Sequence, residues 1–191
     1  MKTLKYRLTG KAPLLMHSDI TANPIHPMTL GIKKVSSKRK KTEDDYKELA
    51  KLEFIASAYW TKDKGYYIPG KNIDATLLAS AKMFKLGTMW KQGAGVYDDA
   101  SFEFPDKKLT PETLFKTKEE YVDMQTVKVG QSKVVRCRPG FNEWSCDITV
   151  TIDEAKLEED QIDTIVENAG NYVGLCDYRP RYGKFNAKKI K

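Results

Sequence analysis

The chain contains no apolar run approaching the 18 or so residues that a membrane-spanning helix needs, so a membrane protein is not expected. Its opening, MKTLKYRLTGKAPLLMHSD, carries cations but no continuous apolar stretch of the kind a secretory signal uses. Cysteine is scarce. There are three, Cys137, Cys146 and Cys176, an odd number whose spacing fits neither a zinc site nor a disulfide framework. Reduced thiols in a cytoplasm are the simplest expectation. Histidine is scarcer still, with only His17 and His26. Walker, dinucleotide and nucleophile-elbow motifs are absent, and the glycines of Gly93–Gly95 are too few to cradle a phosphate. These absences argue against nucleotide hydrolysis, hydride transfer and serine-hydrolase chemistry. No cofactor or metal is expected.

What is present is a core and a surface. Hydrophobic residues are 40% of the chain, enough for a packed interior, and charged residues are 31%, enough for a solvated exterior. The 191 residues suit one domain carrying insertions. The net charge is +7, and it is unevenly placed. Lys33 to Lys41 (KKVSSKRKK) contains Lys33, Lys34, Lys38, Arg39, Lys40 and Lys41 with no anion. Arg179 to Lys191 holds six more cations and no anion, so the remainder of the chain is five charges negative. Two basic clusters on an acidic body are the electrostatic footprint of a polyanion binder.

The hydrophobic pattern orders the elements. Residues 2–9 alternate, with Leu4, Tyr6 and Leu8 on one side, as a half-buried strand does. Residues 10–41 show no periodicity and read as a long loop. Thr42 followed by Glu43, Asp44 and Asp45 caps a helix over 43–60. A short strand at 66–68 stops at Pro69-Gly70, and a helix follows over 71–85, ended by Gly87. Strand character returns at 96–104, and Thr110-Pro111 opens a short helical turn. Residues 121–129 and 132–138 form a hairpin closed by Gly130-Gln131, and Pro139-Gly140 makes a turn. A strand over 143–152, a helix over 157–172 and a strand over 183–189 complete the chain. With the stretches 10–60 and 119–139 set aside as insertions, the order is βαββαβ. The expected class is α+β, with a ferredoxin-like core as in the RNA-recognition motif, formed by residues 1–191 as one domain.

The segment GLCDYRPRYGKFNAKKIK, Gly174 to Lys191, combines features of a ligand loop. Gly174 and Gly183 permit close backbone approach. Tyr178 and Tyr182 can stack on bases, and Arg179, Arg181 and Lys184 can neutralise phosphates. Three further places carry the same chemistry. Lys71 and Asn72 start a helix, where free amides and the dipole suit a phosphate. Lys133, Arg136 and Arg138 lie on one hairpin arm, though not all on one face. The run Lys33–Lys41 can close over a bound strand. Trp60, Trp90 and Trp144 are expected as core or edge residues rather than a stacking set, with Trp90, beside Lys91, the one candidate for exposure. The expected partner is single-stranded RNA or DNA.

YIPGKNIDATLLASAKMF (Tyr67–Phe84) resembles the strand, Pro-Gly turn and helix of the RAMP superfamily, the RNA-binding backbone proteins of CRISPR effector complexes. GLCDYRPRYGKF resembles that superfamily's C-terminal glycine-rich loop, with Cys176 where a glycine is usual. LTGKAPLLMHSD resembles its first strand and following loop. The helix departs from the family pattern at Asp74, Thr76 and Leu78, and the chain is shorter than a typical backbone subunit. The resemblance covers both ends and the first core helix. It implies RNA binding without catalysis, by a CRISPR subunit or a phage or mobile-element relative, within a homo-oligomer or multi-subunit complex. Some ribonucleases of the superfamily use a histidine, which makes His17 and His26 candidates for metal-independent cleavage of RNA. Type III backbone subunits place a cleaving aspartate where Asp19 stands. A third possibility is a phage protein that binds a host protein as a mimic of such a subunit.

Overall fold

The computed structural model describes residues 1–191, apart from the side chain of Val129. In chain order the elements are β1 (Lys2–Gly10), β2 (Leu14–Leu15), α1 (Pro27–Ser36), α2 (Glu43–Ser57), β3 (Trp60–Thr61), β4 (Gly65–Ile68), α3 (Gly70–Met83), α4 (Gly87–Gly93), β5 (Ala94–Gly95), β6 (Ala100–Glu103), α5 (Pro111–Thr117), β7 (Val122–Val129), β8 (Ser132–Phe141), β9 (Ser145–Ile152), α6 (Glu159–Asn168) and β10 (Phe185–Ile190). Antiparallel sheets and six helices make this an α+β protein. The chain forms two compact units, one of Met1–Leu14, Thr61–Lys107 and Phe141–Lys191, the other of Leu15–Trp60 and Lys108–Gly140. The stretches 10–60 and 119–139 supply most of the second unit.

In the first unit the strand order is β10-β1-β9-β6-β4-β3, with β5 paired to β9. β1 lies between β9 and β10, antiparallel to both, and the register sets Leu4 opposite Val150, Tyr6 opposite Ile148 and Leu8 opposite Cys146. Directly opposed residues share a face, so these six buried side chains form one apolar sheet surface. Ile73, Leu77 and Ala81 of α3 and Ile162, Ile165 and Val166 of α6 are also buried. The two helices meet where the Ser80 hydroxyl donates to the Ile165 carbonyl at 2.8 Å. The Tyr6 hydroxyl donates to Asp163 of α6 at 2.5 Å, which places α6 on the apolar side of β1. The opposite side of the sheet carries Lys5, Arg7, Asp147 and Lys188, all exposed. Arg7 and Asp147 bind there through two bonds of 2.7 Å.

The second unit holds α1, α2 and α5 with a sheet ordered β2-β8-β7. α2 starts at a capping box in which the Thr42 hydroxyl accepts from Asp45 N and the Asp45 carboxylate accepts from Thr42 N. α5 starts at Thr110 with Pro111 behind it. Phe54 of α2 is fully buried, and its ring lies 5.3 Å from that of Phe115 on α5.

The structure departs from the sequence reading in three places. Residues 10–41 are not a loop: they contain β2, a 3-10 turn at Asp19–Ala22 and the helix α1. Pro27 and Gly31 masked that helix, yet proline is tolerated in a first turn, and the His26 side chain caps it by accepting from Met28 N at 3.2 Å. Gly87 opens α4 rather than closing its predecessor, and Gly93 is the last residue of α4. Pro139-Gly140 lies inside β8, where the Pro139 carbonyl accepts from Met16 N at 3.0 Å. Trp90 agrees with the sequence reading as a core residue: it is 1% exposed, its indole donating to Asp74 at 3.0 Å.

Candidate nucleic-acid interface

The C-terminal loop of the first unit begins where α6 loosens into a π-helical turn, Ala169–Val173. Gly174 then takes φ +81, and Gly183, near the loop's other end, takes φ +71. A Cβ on Gly174 would lie 2.5 Å from the Tyr182 carbonyl oxygen, and one on Gly183 would lie 2.0 Å from that of Leu175. Both glycines are therefore needed for the loop's approach to itself. The sequence reading gave that role to a ligand, and the structure corrects it. Leu175 N donates to Gly183 O at 2.9 Å, Tyr182 N to Tyr178 O at 3.1 Å, and Gly183 N to Pro13 O at 2.7 Å.

The closed loop is pinned to α3. Thr76, fully buried, donates its hydroxyl to the Gly174 carbonyl at 3.1 Å. The hydroxyl oxygen of Thr76 in turn accepts from Arg179 Nη1 at 3.3 Å. Asn72, one turn earlier on α3, makes a side-chain hydrogen bond with Cys176. Cys176 and Tyr178 sit in the left-handed region, with φ of 61 and 58. Burial pushes the Cys176 thiol up to about 12, so at neutral pH it is a packed, protonated group.

The loop's outer surface holds Tyr178, 45% exposed, together with exposed Arg179 and Arg181. The Tyr178 and Tyr182 rings meet edge to face at 5.2 Å. Lys184 is half-buried and its carbonyl accepts from Lys11 N. The loop thus presents the Arg181 guanidinium, the exposed part of Arg179 left beyond its bond to Thr76, and an aromatic ring from a backbone bonded to its own unit, a geometry suited to phosphates and to a stacked base.

Lys71 and Asn72 do lie at the start of α3, but the helix terminus is not an open anion site. Asp99 accepts from Gly70 N at 3.0 Å and from Lys64 Nζ at 2.7 Å, and these bonds hold its carboxyl below the usual range. An internal carboxylate stands where a phosphate was expected.

The other sequence candidates belong to the second unit. Lys33 and Lys34 occupy the last turn of α1, where cations suit the helix dipole. Lys38 pairs with Asp45 at 2.5 Å, Lys41 donates to the Lys38 carbonyl at 3.0 Å, and Arg39 and Lys40 are exposed. On β8, Lys133 is exposed, whereas Arg136 is paired with the buried Glu53, whose other oxygen accepts from Cys137 N at 3.0 Å. Arg138 is 8% exposed, so this cation faces the interior rather than a solvated ribbon edge. His17 and Asp19 are exposed, and the His17 carbonyl accepts from the Tyr59 hydroxyl at 2.7 Å. His26 is the cap of α1. Among the described residues no group of three or more His, Cys, Asp or Glu side chains is gathered to hold a metal ion. Among the described residues no helix is long and apolar enough to cross a membrane.

Sequence reasoning missed Thr76 and Asp99 as parts of this region. Thr76 had a signal, a hydroxyl on the apolar stripe of α3, which must find a partner when buried. Asp99 had none that is local, because its partner Gly70 lies 29 residues away. No protein-family model matches the chain, and no curated protein matches it either.

Proposed function

We propose that the chain binds single-stranded nucleic acid, RNA in the first instance, through the loop Gly174–Lys184, as a non-catalytic protein of RAMP type. The observation that carries this reading is the outer surface of that loop, with Tyr178, Arg179 and Arg181 exposed on a backbone bonded to α3. The sheet order adds support for the fold. Each strand of β10-β1-β9-β6 is antiparallel to its sheet neighbours, α3 falls between β1 and β6 in the chain, and α6 falls between β9 and β10, an arrangement in keeping with the split βαβ order of ferredoxin-like domains. Bound strand is held by its phosphates and by stacking, so recognition is weakly dependent on sequence.

The test is fluorescence anisotropy with a labelled oligouridine across a salt series. Affinity falls linearly on a logarithmic plot, and Arg179→Ala with Arg181→Ala lowers the slope by about 1.4, from about 0.7 per phosphate contact on a single strand. Absence of binding at low salt, or an unchanged slope in the double variant, refutes the proposal. Cleavage of the oligonucleotide that His17→Ala abolishes would replace it with the ribonuclease reading.

A further inference from the structure

A second surface, unrelated to the C-terminal loop, is left open within the second unit. A groove of about 770 Å³ runs between α2, α5 and β7, floored by Tyr46, Ala50, Phe115 and Met124. Tyr46, Ala50 and Phe54 follow one another at i, i+4 spacing on α2 and so share a face. Along that row exposure falls from 60% at Tyr46 to 8% at Ala50 and zero at Phe54. The apolar row therefore runs past the end of its cover. The hairpin repeats the pattern. Cross-strand neighbours set Met124 opposite Cys137, Thr126 opposite Val135 and Lys128 opposite Lys133, all on one face. Cys137 is buried, but Met124 is 57% and Val135 58% exposed. Three large apolar side chains thus face water beside a groove of ligand-pocket size.

The charge around this surface is predominantly positive, with three lysines of the lining against two glutamates, Glu43 and Glu112. Lys51 and Lys116 line the groove, and Lys128 and Lys133 extend it along the hairpin. None of the four makes an ion pair among the described residues. Lys47 is matched by Glu43 at 2.6 Å, which leaves Glu112 as the remaining acid of the lining. An apolar floor with a cationic border is complementary to an amphipathic helix whose polar face is acidic. We infer that this groove docks an acidic amphipathic helix of a protein partner, with apolar anchors at i, i+3 or i+4, and i+7 entering between Tyr46, Phe115 and Met124.

The probe is a fluorescein-labelled synthetic helix with leucines at that spacing and glutamates on the remaining face. One control scrambles the same composition so that the leucines lie on all sides; a second replaces glutamate by lysine. The full chain binds the acidic amphipathic peptide, and either control binds at least about tenfold more weakly. Met124→Glu weakens binding by about tenfold or more, with its thermal midpoint close to wild type because the side chain is largely solvated. Tyr46→Ala does the same if Met124→Glu proves unstable. Lys51→Glu with Lys116→Glu reverses the preference toward the lysine peptide. No binding of the acidic peptide overturns the inference, as does equal binding of the scrambled peptide or indifference to the floor variants. Loss of oligouridine binding in Met124→Glu also overturns it, because the groove is then a nucleic-acid surface. Retention of peptide binding by the Arg179, Arg181 double variant separates this inference from the nucleic-acid proposal.

Discussion

Thr76→Val replaces the hydroxyl that joins α3 to the C-terminal loop with a methyl of nearly the same shape. The site is fully buried, so no cavity opens and no water takes the hydroxyl's place. Two bonds disappear, the donation to Gly174 O at 3.1 Å and the acceptance from Arg179 Nη1 at 3.3 Å. A buried carbonyl left without its partner costs about 1–3 kcal/mol. Against that, the added methyl gains about 0.8 kcal/mol of apolar burial. The net expectation is a destabilisation of about 0.2–2 kcal/mol. In urea, with a slope of about 2 kcal/mol per molar, the midpoint falls by about 0.1–1 M. The sign is the decisive quantity. Were the Thr76 hydroxyl idle, exchanging a buried polar group for an apolar one would stabilise the protein. A Thr76→Val midpoint at or above that of wild type therefore refutes the pinning argument. A double-mutant cycle with Arg179→Ala measures the second bond, with an expected coupling of about 0.5–1 kcal/mol.

Gly183→Ala places a Cβ 2.0 Å from the Leu175 carbonyl at φ +71 and should cost more than about 2 kcal/mol in urea unfolding, whereas Gly130→Ala, at φ +60 with nothing within 4 Å, should cost only the left-handed penalty of about 1–2 kcal/mol; equal losses would refute the close-approach account. Lys189 and Lys2 hold the Glu159 carboxyl down at about 2, so its contribution is present above the unfolded value of about 4.3 and is lost as pH falls toward 2. Glu159→Gln should accordingly flatten the acid limb of a stability profile between about pH 5 and about pH 2.5, and salt at about 1 M should flatten it in wild type; a parallel profile for the variant would count against the pairing. Cys137 is 1% exposed and burial pushes its thiol up to about 12, so iodoacetamide at about pH 8 should label it only as fast as the protein unfolds, and prompt labelling of Cys137 in the native chain would contradict its placement.

Elements with a strong local signature were legible. The alternation of Leu4, Tyr6 and Leu8 marks β1, Thr42 with Asp45 marks the start of α2, and Gly130 marks the hairpin turn. α1 escaped because its signal is divided among non-standard parts. Its cap is a histidine, its first residue is a proline, and only Val35 of its ten residues is buried. A helix that hides so little of itself shows little hydrophobic periodicity. Pro139-Gly140 looked like a turn for the opposite reason. Two residues that punctuate most sequences are here carried through β8, where proline can still offer its carbonyl.

The cations were legible as charge but not as surface. Composition cannot tell Arg181, which faces solvent, from Arg136, which neutralises a buried Glu53, or from Arg138, which is itself enclosed. That distinction rests on a carboxylate 83 residues away in the case of Arg136. The glycines carry the larger consequence. Gly174 and Gly183 use their conformational freedom to close the loop on its own backbone, so that backbone is not free to approach a phosphate. The proposed recognition of nucleic acid by this loop would then pass through side chains, namely Arg179, Arg181 and Tyr178. Side-chain cations bind phosphates by displacing counterions, whereas neutral backbone amides do so with little salt dependence. A loop built this way ties the proposed affinity to ionic strength and to two arginines, and a salt-insensitive complex would be incompatible with its geometry.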